Sequence, residues 1–169
     1  WDFDYNETIT GSPKELVSQC ETLFHSAVKS QLVSDVEVGS YLSGGIDSSA
    51  ISLKLNSTNK QNMLMHNLSF KEINFDASKY ADSFSKSTNT KLKIHYMPEP
   101  KIIALDFPEI VNSMDQPMSD TAYISNFYLS KFSSQYSKVV LSGDGADEML
   151  CGYETYIADI YKKLFNKMP

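Results

Sequence analysis

Serine, glycine and aspartate crowd into two short stretches of this 169-residue chain, in an order suited to handling phosphate. The first stretch is Ser43-Gly44-Gly45-Ile46-Asp47-Ser48-Ser49. An apolar run at 36–42 leads into it and another at 50–55 follows, so it reads as strand, tight turn, helix. Two glycines let successive N–H groups converge on one point. The helix start adds free N–H groups and the positive end of its dipole. Ser43, Ser48 and Ser49 contribute hydroxyls. Asp47 is out of place in an anion socket unless a divalent cation lies between carboxylate and phosphate, as Mg²⁺ does when it takes one or two carboxylates plus phosphate oxygens. No lysine follows the glycines, which excludes the G-x-x-x-x-G-K-[ST] loop. The plainer alternative is an ordinary Ser-Gly turn with Asp47 capping the helix.

The second stretch is Ser142-Gly143-Asp144-Gly145-Ala146-Asp147-Glu148, with Gly152-Tyr153 just beyond. It follows Val139-Val140-Leu141, so a short buried-type strand again runs into a glycine turn, now with three carboxylates. An isolated acidic glycine loop is usually a solvated turn or a calcium loop, but the EF-hand spacing is absent. Two such turns at strand ends would face one crevice in an open α/β sheet.

Ser-Gly-Gly-x-Asp-Ser resembles the pyrophosphate loop of the ATP pyrophosphatase (PP-loop) superfamily. Both stretches together resemble the synthetase domain of the asparagine synthetase family, in its glutamine-dependent bacterial branch. Supporting residues run in family order: Val38-Gly39 to Ser49, Phe75-Asp76-Ala77-Ser78-Lys79-Tyr80-Ala81, Met114-Asp115-Gln116-Pro117-Met118-Ser119-Asp120, and Leu141 to Tyr153. The resemblance covers about residues 13–156.

That resemblance implies a three-layer α/β sandwich with an open parallel sheet, of the adenine nucleotide alpha hydrolase-like type. It implies a ligase that adenylates a carboxylate with ATP and Mg²⁺, releases pyrophosphate, and forms an amide with ammonia drawn from glutamine. Ser43, Gly44, Gly45, Ser48 and Ser49 would hold pyrophosphate. Asp47 and Asp147 would hold the metal from two sides, their plainer roles being a helix cap and a solvated loop acid. Ser142 and Gly143 would line the AMP portion, with Leu42, Leu68 and Ser69 flanking adenine and ribose. Asp144 occupies the catalytic carboxylate position near the acyl-adenylate. Glutamate is common there, and the shorter aspartate leaves the acceptor open between aspartate and a related acid. Asp115, Asp120 and Glu148 read as structural acids.

The family also carries an N-terminal glutaminase domain and a C-terminal helical region. The expected organisation is therefore a linker at 1–12 and a truncated synthetase domain at 13–169, partnered by the glutaminase domain of the full-length chain, with a homodimer allowed. The alternatives are another PP-loop ligase, against which the 142–153 motif argues, and a noncatalytic nucleotide-binding module, against which Asp47 and Asp147 argue.

Elements must place these loops. Ser12-Pro13-Lys14-Glu15 reads as a helix start, followed by a stripe through Leu16, Cys20, Leu23, Phe24, Ala27 and Val28 to about residue 32. Strands are expected at 36–42, 63–70, 92–96 and 138–141. Helices are expected at 48–55, at 76–88 with Tyr80, Ala81 and Phe84 on one side, at 121–136, and from about 153 to the end. Residues 56–62 read as a loop, Pro98-Glu99-Pro100 as a break, and Pro108 as a new helix start capped by Asp106. Strands alternating with helices mean a parallel sheet with right-handed crossovers.

Composition bounds the partners. A net charge of −6 argues against nucleic acid, whose phosphates need a basic face. No run of about 18 apolar residues suggests a membrane span. Residues 1–5 have no basic or apolar signal pattern, and Cys20 and Cys151 form no metal or redox spacing, which fits a reducing cytoplasm. Both cysteines are expected to be buried fillers, Cys151 at a position where the family commonly has glycine. His25 and His66 read as structural, and His95 is unassigned.

Overall fold

The computed structural model describes residues 8–58, 63–70 and 78–165. The chain divides into two units, Trp1–Asp35 and Val36–Pro169. In the first, α1 (Pro13–Ser30) opens on a reciprocal cap. Glu15 N–H donates to Ser12 Oγ at 3.4 Å, and Ser12 N–H donates to the Glu15 carboxylate at 2.8 Å. Cys20 is exposed rather than buried. The helix buries Val28 and half-buries Leu16 and Phe24, and Cys20 lies outside the covered part of the stripe.

The second unit is built on a parallel sheet of β1 (Val38–Tyr41), β2 (Leu64–Ser69), β3 (Lys91–Tyr96) and β4 (Val139–Leu141), in the order β3-β2-β1-β4. Its helices are α2 (Ile46–Thr58), α3 (Ser78–Thr88), α4 (Pro100–Asn112), α5 (Ala122–Ser133), α6 (Ala146–Leu150) and α7 (Glu154–Phe165). Consecutive strand residues point to opposite faces. Ser40 Oγ meets Ser52 Oγ of α2 at 2.9 Å, while the next residue, Tyr41, brings its hydroxyl to Ser130 and Ser133 of α5 at 3.2 and 3.1 Å. Thus α2 and α5 cover opposite faces, with α3 beside α2, and the result is the expected three-layer sandwich. After β1 the chain builds outward through β2 and β3, then crosses back to place β4 on the other side of β1. That reversal makes a crevice beyond the carboxyl ends of β1 and β4.

Several local expectations are corrected. Pro108 does not start a helix; it lies inside a continuous α4 that begins at Pro100. Pro100 already occupies the favoured first position. The carbonyl of Ala104, which Pro108 leaves without a donor, belongs to an exposed residue within reach of water. Asp106 caps nothing. It accepts the Tyr128 hydroxyl at 2.9 Å and, with Glu109, faces Lys131, tying α4 to α5. Burial, then that bond to Asp106, pushes the Tyr128 hydroxyl up to about 12.

Residues 56–58, expected as loop, instead form the last turn of α2, where Ser57 and Thr58 donate to the Lys54 carbonyl at 2.8 Å each. Ala81 is buried and Phe84 half-buried as expected, but Tyr80 is 71% exposed, and Ser85, four residues beyond Ala81, completes the buried side of α3. Residues 1–7, 59–62 and 71–77, with the Phe75-Asp76-Ala77 part of the motif, lie outside the described residues, as do 166–169.

Candidate nucleotide site

The 43–49 loop turns at Gly44, whose φ of 89° is open to glycine at little cost. Its hydroxyls first serve the loop itself. Ser48 Oγ accepts Ser43 N–H at 3.2 Å, pairs with Ser43 Oγ at 2.9 Å, and donates to the Gly45 carbonyl at 3.2 Å. Gly45 N–H donates to Ser43 Oγ at 3.2 Å. Ser48, 7% exposed, is thus the pin of the loop.

The second loop leaves β4 and reverses at Gly145, also at φ 89°. Ser142 Oγ donates to Asp144 Oδ2 at 3.0 Å, which orients that exposed carboxylate. A Cβ on Gly143 would stand 3.0 Å from Ser48 N and 3.2 Å from Asp47 Cβ. The bare backbone at Gly143 therefore lets the two acidic loops touch. A short helix follows that had not been expected separately, α6, and it holds Asp147 and Glu148 in its first turn. A side chain at Gly152 would run into the Asp147 carboxylate, so that glycine makes room for Asp147. The Tyr153 hydroxyl donates to Glu148 at 2.8 Å, and this bond pushes it up to about 12. Asp120 accepts the Ala122 N–H at 2.8 Å at the start of α5.

Cys151 is exposed and ends α6 at φ 57°, ψ 42°. A buried filler was expected; the left-handed backbone instead turns the side chain outward. It also explains a preference for glycine at this position, since a Cβ there costs about 1 kcal/mol. Cys151→Gly should stabilise the chain by up to about 1 kcal/mol, read as a small rise in Tm, and a fall in Tm would contradict this account.

Both loops open on one cavity of about 390 Å³. Leu42, Ser43, Gly45, Asp47, Ser48 and Leu68 line it from the β1 and β2 side, and Ser142, Gly143, Asp144 and Asp147 from the β4 side. Gly44, Ser49 and Ser69 do not line it; Ser69 is 2% exposed on β2. The lining includes three aspartates and, among the described residues, neither lysine nor arginine. Tyr41, Asn67, Phe70, Ser125, Asn126 and Leu129 complete the wall without having been singled out in the sequence, together with His66, which had been read as structural. The signal for Tyr41 and His66 was strand alternation toward α5, but nothing local distinguishes Ser125 and Asn126 from other helix polar residues.

His95 gains a partner. His66 Nδ1 and His95 Nε2 are 3.1 Å apart, and His66 Nε2 lies 2.8 Å from Ser137 Oγ. The rings stack at 5.4 Å, both residues are buried, and Lys93 covers the adjoining Tyr136 ring at 4.2 Å. Burial first, then the charges of His95 and Lys93, pull His66 down to about 4, and His95 moves in the same direction. The hydrogen bond between the facing nitrogens needs one of them to carry the proton and the other to accept it, an arrangement that two neutral imidazoles provide.

No described helix is long and apolar enough to cross a membrane. In sequence, the chain is 30% identical over 155 residues to an asparagine synthetase (glutamine-hydrolyzing) of Bacillus subtilis, covering 92% of this chain and 24% of that protein. It is 28% identical over 186 residues to the amidase chyE of Penicillium rubens, covering all of this chain and 28% of that one. The chain thus spans about a quarter of the length of these curated relatives. In structure, it is similar to a glutamine-dependent NAD⁺ synthetase from Acinetobacter baumannii solved with adenosine diphosphate. The TM-score is 0.57 at 17% identity, over 89% of this chain and 31% of that one, a likeness of fold. The asparagine synthase family model matches residues 19–169, through both acidic loops and the strands that carry them, and the chain belongs to that family.

Proposed function

We propose that this chain is the ATP-binding core of an amide-forming ligase. The acceptor carboxylate, of aspartate or a related acid, attacks the α-phosphorus of ATP; pyrophosphate leaves and an acyl-adenylate forms. Ammonia derived from glutamine then attacks the acyl carbon, AMP departs, and the amide results. Neither half needs a protein nucleophile, so the work is positioning and charge stabilisation. The observation that carries this reading is the contact of the two acidic glycine loops at Gly143 over one cavity.

In this reading Ser43, Gly44, Gly45, Ser48 and Ser49 shape the pyrophosphate socket, and Ser142 and Gly143 support AMP, with Leu42 and Leu68 beside the nucleoside; Gly44, Ser49 and Ser69 act from behind the lining. Asp144 faces the acyl-adenylate, aligned by Ser142.

The donor set fits Mg²⁺. Asp47 and Asp147 approach the cavity from opposite loops, and phosphate charge there meets carboxylates with no described basic side chain in the lining. A bound Mg²⁺ supplies Lewis-acid neutralisation of the phosphate oxygens. Belonging to the same reading are a glutaminase domain elsewhere in the full-length protein, a cytoplasmic location, and a homodimer as the assembly to look for.

Calorimetric titration of this chain with Mg-ATP tests it. Binding should depend on magnesium, prefer ATP over GTP, and weaken at least tenfold in Asp47→Ala. A folded chain that binds ATP equally well without metal, or in Asp47→Ala, refutes the site as assigned.

A further inference from the structure

The short helix α6 has five residues, yet it carries Asp147 of the cavity wall. A helix of about one turn fixes several dihedrals for few hydrogen bonds and is marginal on its own. Its entry is tied by Ala146 N–H, which donates to the Gly143 carbonyl at 3.3 Å, and by Met149 N–H, which donates to the Gly145 carbonyl at 3.2 Å. Its exit turns left-handed at Cys151, and the next two residues reach back to the two acids of its first turn. Gly152 N–H donates to the Asp147 carbonyl at 2.9 Å, and the Tyr153 hydroxyl donates to Glu148 Oε1 at 2.8 Å. A Cβ on Gly152 would overlap Asp147 Oδ1, so the bare backbone there is what that carboxylate rests against. Asp147 is thus held through its own main chain and through its neighbour's side chain.

Tyr153 has an anchor of its own. Tyr156 N–H, in the first turn of α7, donates to the Tyr153 carbonyl at 3.1 Å, and the two rings lie 6.0 Å apart. Neither Tyr153 nor Glu148 lines the cavity, so their influence on a ligand there passes through Asp147. We propose that Tyr153 is a positioning residue for the metal carboxylate: by holding Glu148 it fixes the first turn of α6 and with it Asp147. This rests on the nucleotide reading above, in which Asp147 meets Mg²⁺. Mg²⁺ demands near-ideal octahedral geometry, whereas Ca²⁺ accepts a flexible shell of six to eight oxygens. A loosened Asp147 therefore costs Mg-ATP more than Ca-ATP, a signature that general loss of stability does not give.

Calorimetric titration with Mg-ATP and with Ca-ATP tests this on wild type, Tyr153→Phe, Glu148→Ala, Glu148→Gln and the Tyr153→Phe, Glu148→Ala double variant. Tyr153→Phe removes one hydroxyl and keeps the ring. It should weaken Mg-ATP about fivefold and leave Ca-ATP within about twofold of wild type. Glu148→Ala should match it, and the double variant should lose no more than either single change, because one bond is removed in all three. Glu148→Gln keeps an oxygen for the Tyr153 hydroxyl and should restore most of what Glu148→Ala loses. Wild-type Mg-ATP affinity in Tyr153→Phe overturns the proposal. So does a loss in Glu148→Gln as large as in Glu148→Ala, which puts the Glu148 charge itself on the metal, or a parallel loss of Ca-ATP, which marks general damage to the loop. Should Tyr153→Phe fail to fold, Glu148→Ala against Glu148→Gln decides. Each of those outcomes leaves the nucleotide reading standing while wild type binds Mg-ATP; no binding of nucleotide by wild type sinks both.

Discussion

Gly143→Val should weaken Mg-ATP binding by more than a hundredfold and lower Tm by several degrees. The Cβ it adds meets backbone rather than a movable side-chain tip: Ser48 N at 3.0 Å, Asp47 Cβ at 3.2 Å and Asp47 C at 3.3 Å. Relief requires moving the first turn of α2 away from the β4 loop. That motion separates Asp47 from Asp147 and disturbs the Ser48 pin inside the loop. Overpacking of this kind costs about 1–3 kcal/mol in stability. The binding loss is larger because a misplacement of about 1 Å in a positioning site can cost a hundredfold. Gly143→Ala, with no γ carbons, should lose about tenfold. Gly145→Ala is the matched control. Its φ is 89°, unlike that of Gly143, and nothing stands within 4 Å of the added Cβ, so it carries only backbone strain of about 1 kcal/mol. If Gly143→Val binds Mg-ATP as wild type does, or Gly145→Ala is the more damaging change, loop contact is not what builds the site.

Acid should destabilise this fold earlier than carboxylate titration alone predicts. The His66 pKa in the folded chain is about 4 against 6.5 for the free side chain. The neutral pair is then the form that folding selects, and its contribution is fully present above pH 6.5. As pH falls below 6.5 the unfolded chain takes up the proton first, so stability declines and levels off near pH 4. His95, lowered by burial and then by Lys93, adds in the same sense. A shift of this size, discounted for solvent screening, corresponds to on the order of 2 kcal/mol. Urea midpoints between pH 7.5 and 5 isolate it from most aspartates and glutamates. The midpoint should fall across that window in wild type and change much less in a His66→Gln, His95→Gln double variant. Identical pH slopes for the two proteins would remove the histidine pair as the cause.

The strands, the two glycine loops and the family were readable because each rests on local chemistry. An apolar run, a Ser-Gly-Gly-x-Asp-Ser turn and a Ser-Gly-Asp-Gly turn keep their meaning wherever the chain goes. The alternation of strand and helix likewise implied a parallel sheet with both loops at one edge. Local rules were weaker where two remedies compete. Pro108 looked like a helix start because proline breaks helices, yet an exposed face of α4 tolerates it. Cys20 and Tyr80 looked like packing residues because periodicity finds a stripe without saying what covers it.

The sequence by itself determined where the two glycine loops and their serines and carboxylates fall along the chain, since side-chain type and glycine spacing are one-dimensional properties. Only the tertiary structure decided which partners lie across the sheet. His95 finds His66 through parallel register, Tyr128 finds Asp106 through packing of α5 on α4, and Asn67 spends its nitrogen on the Leu42 carbonyl. These pairs are separated by 29, 22 and 25 residues, and contacts at such separations depend on strand order and register, which no local spacing encodes.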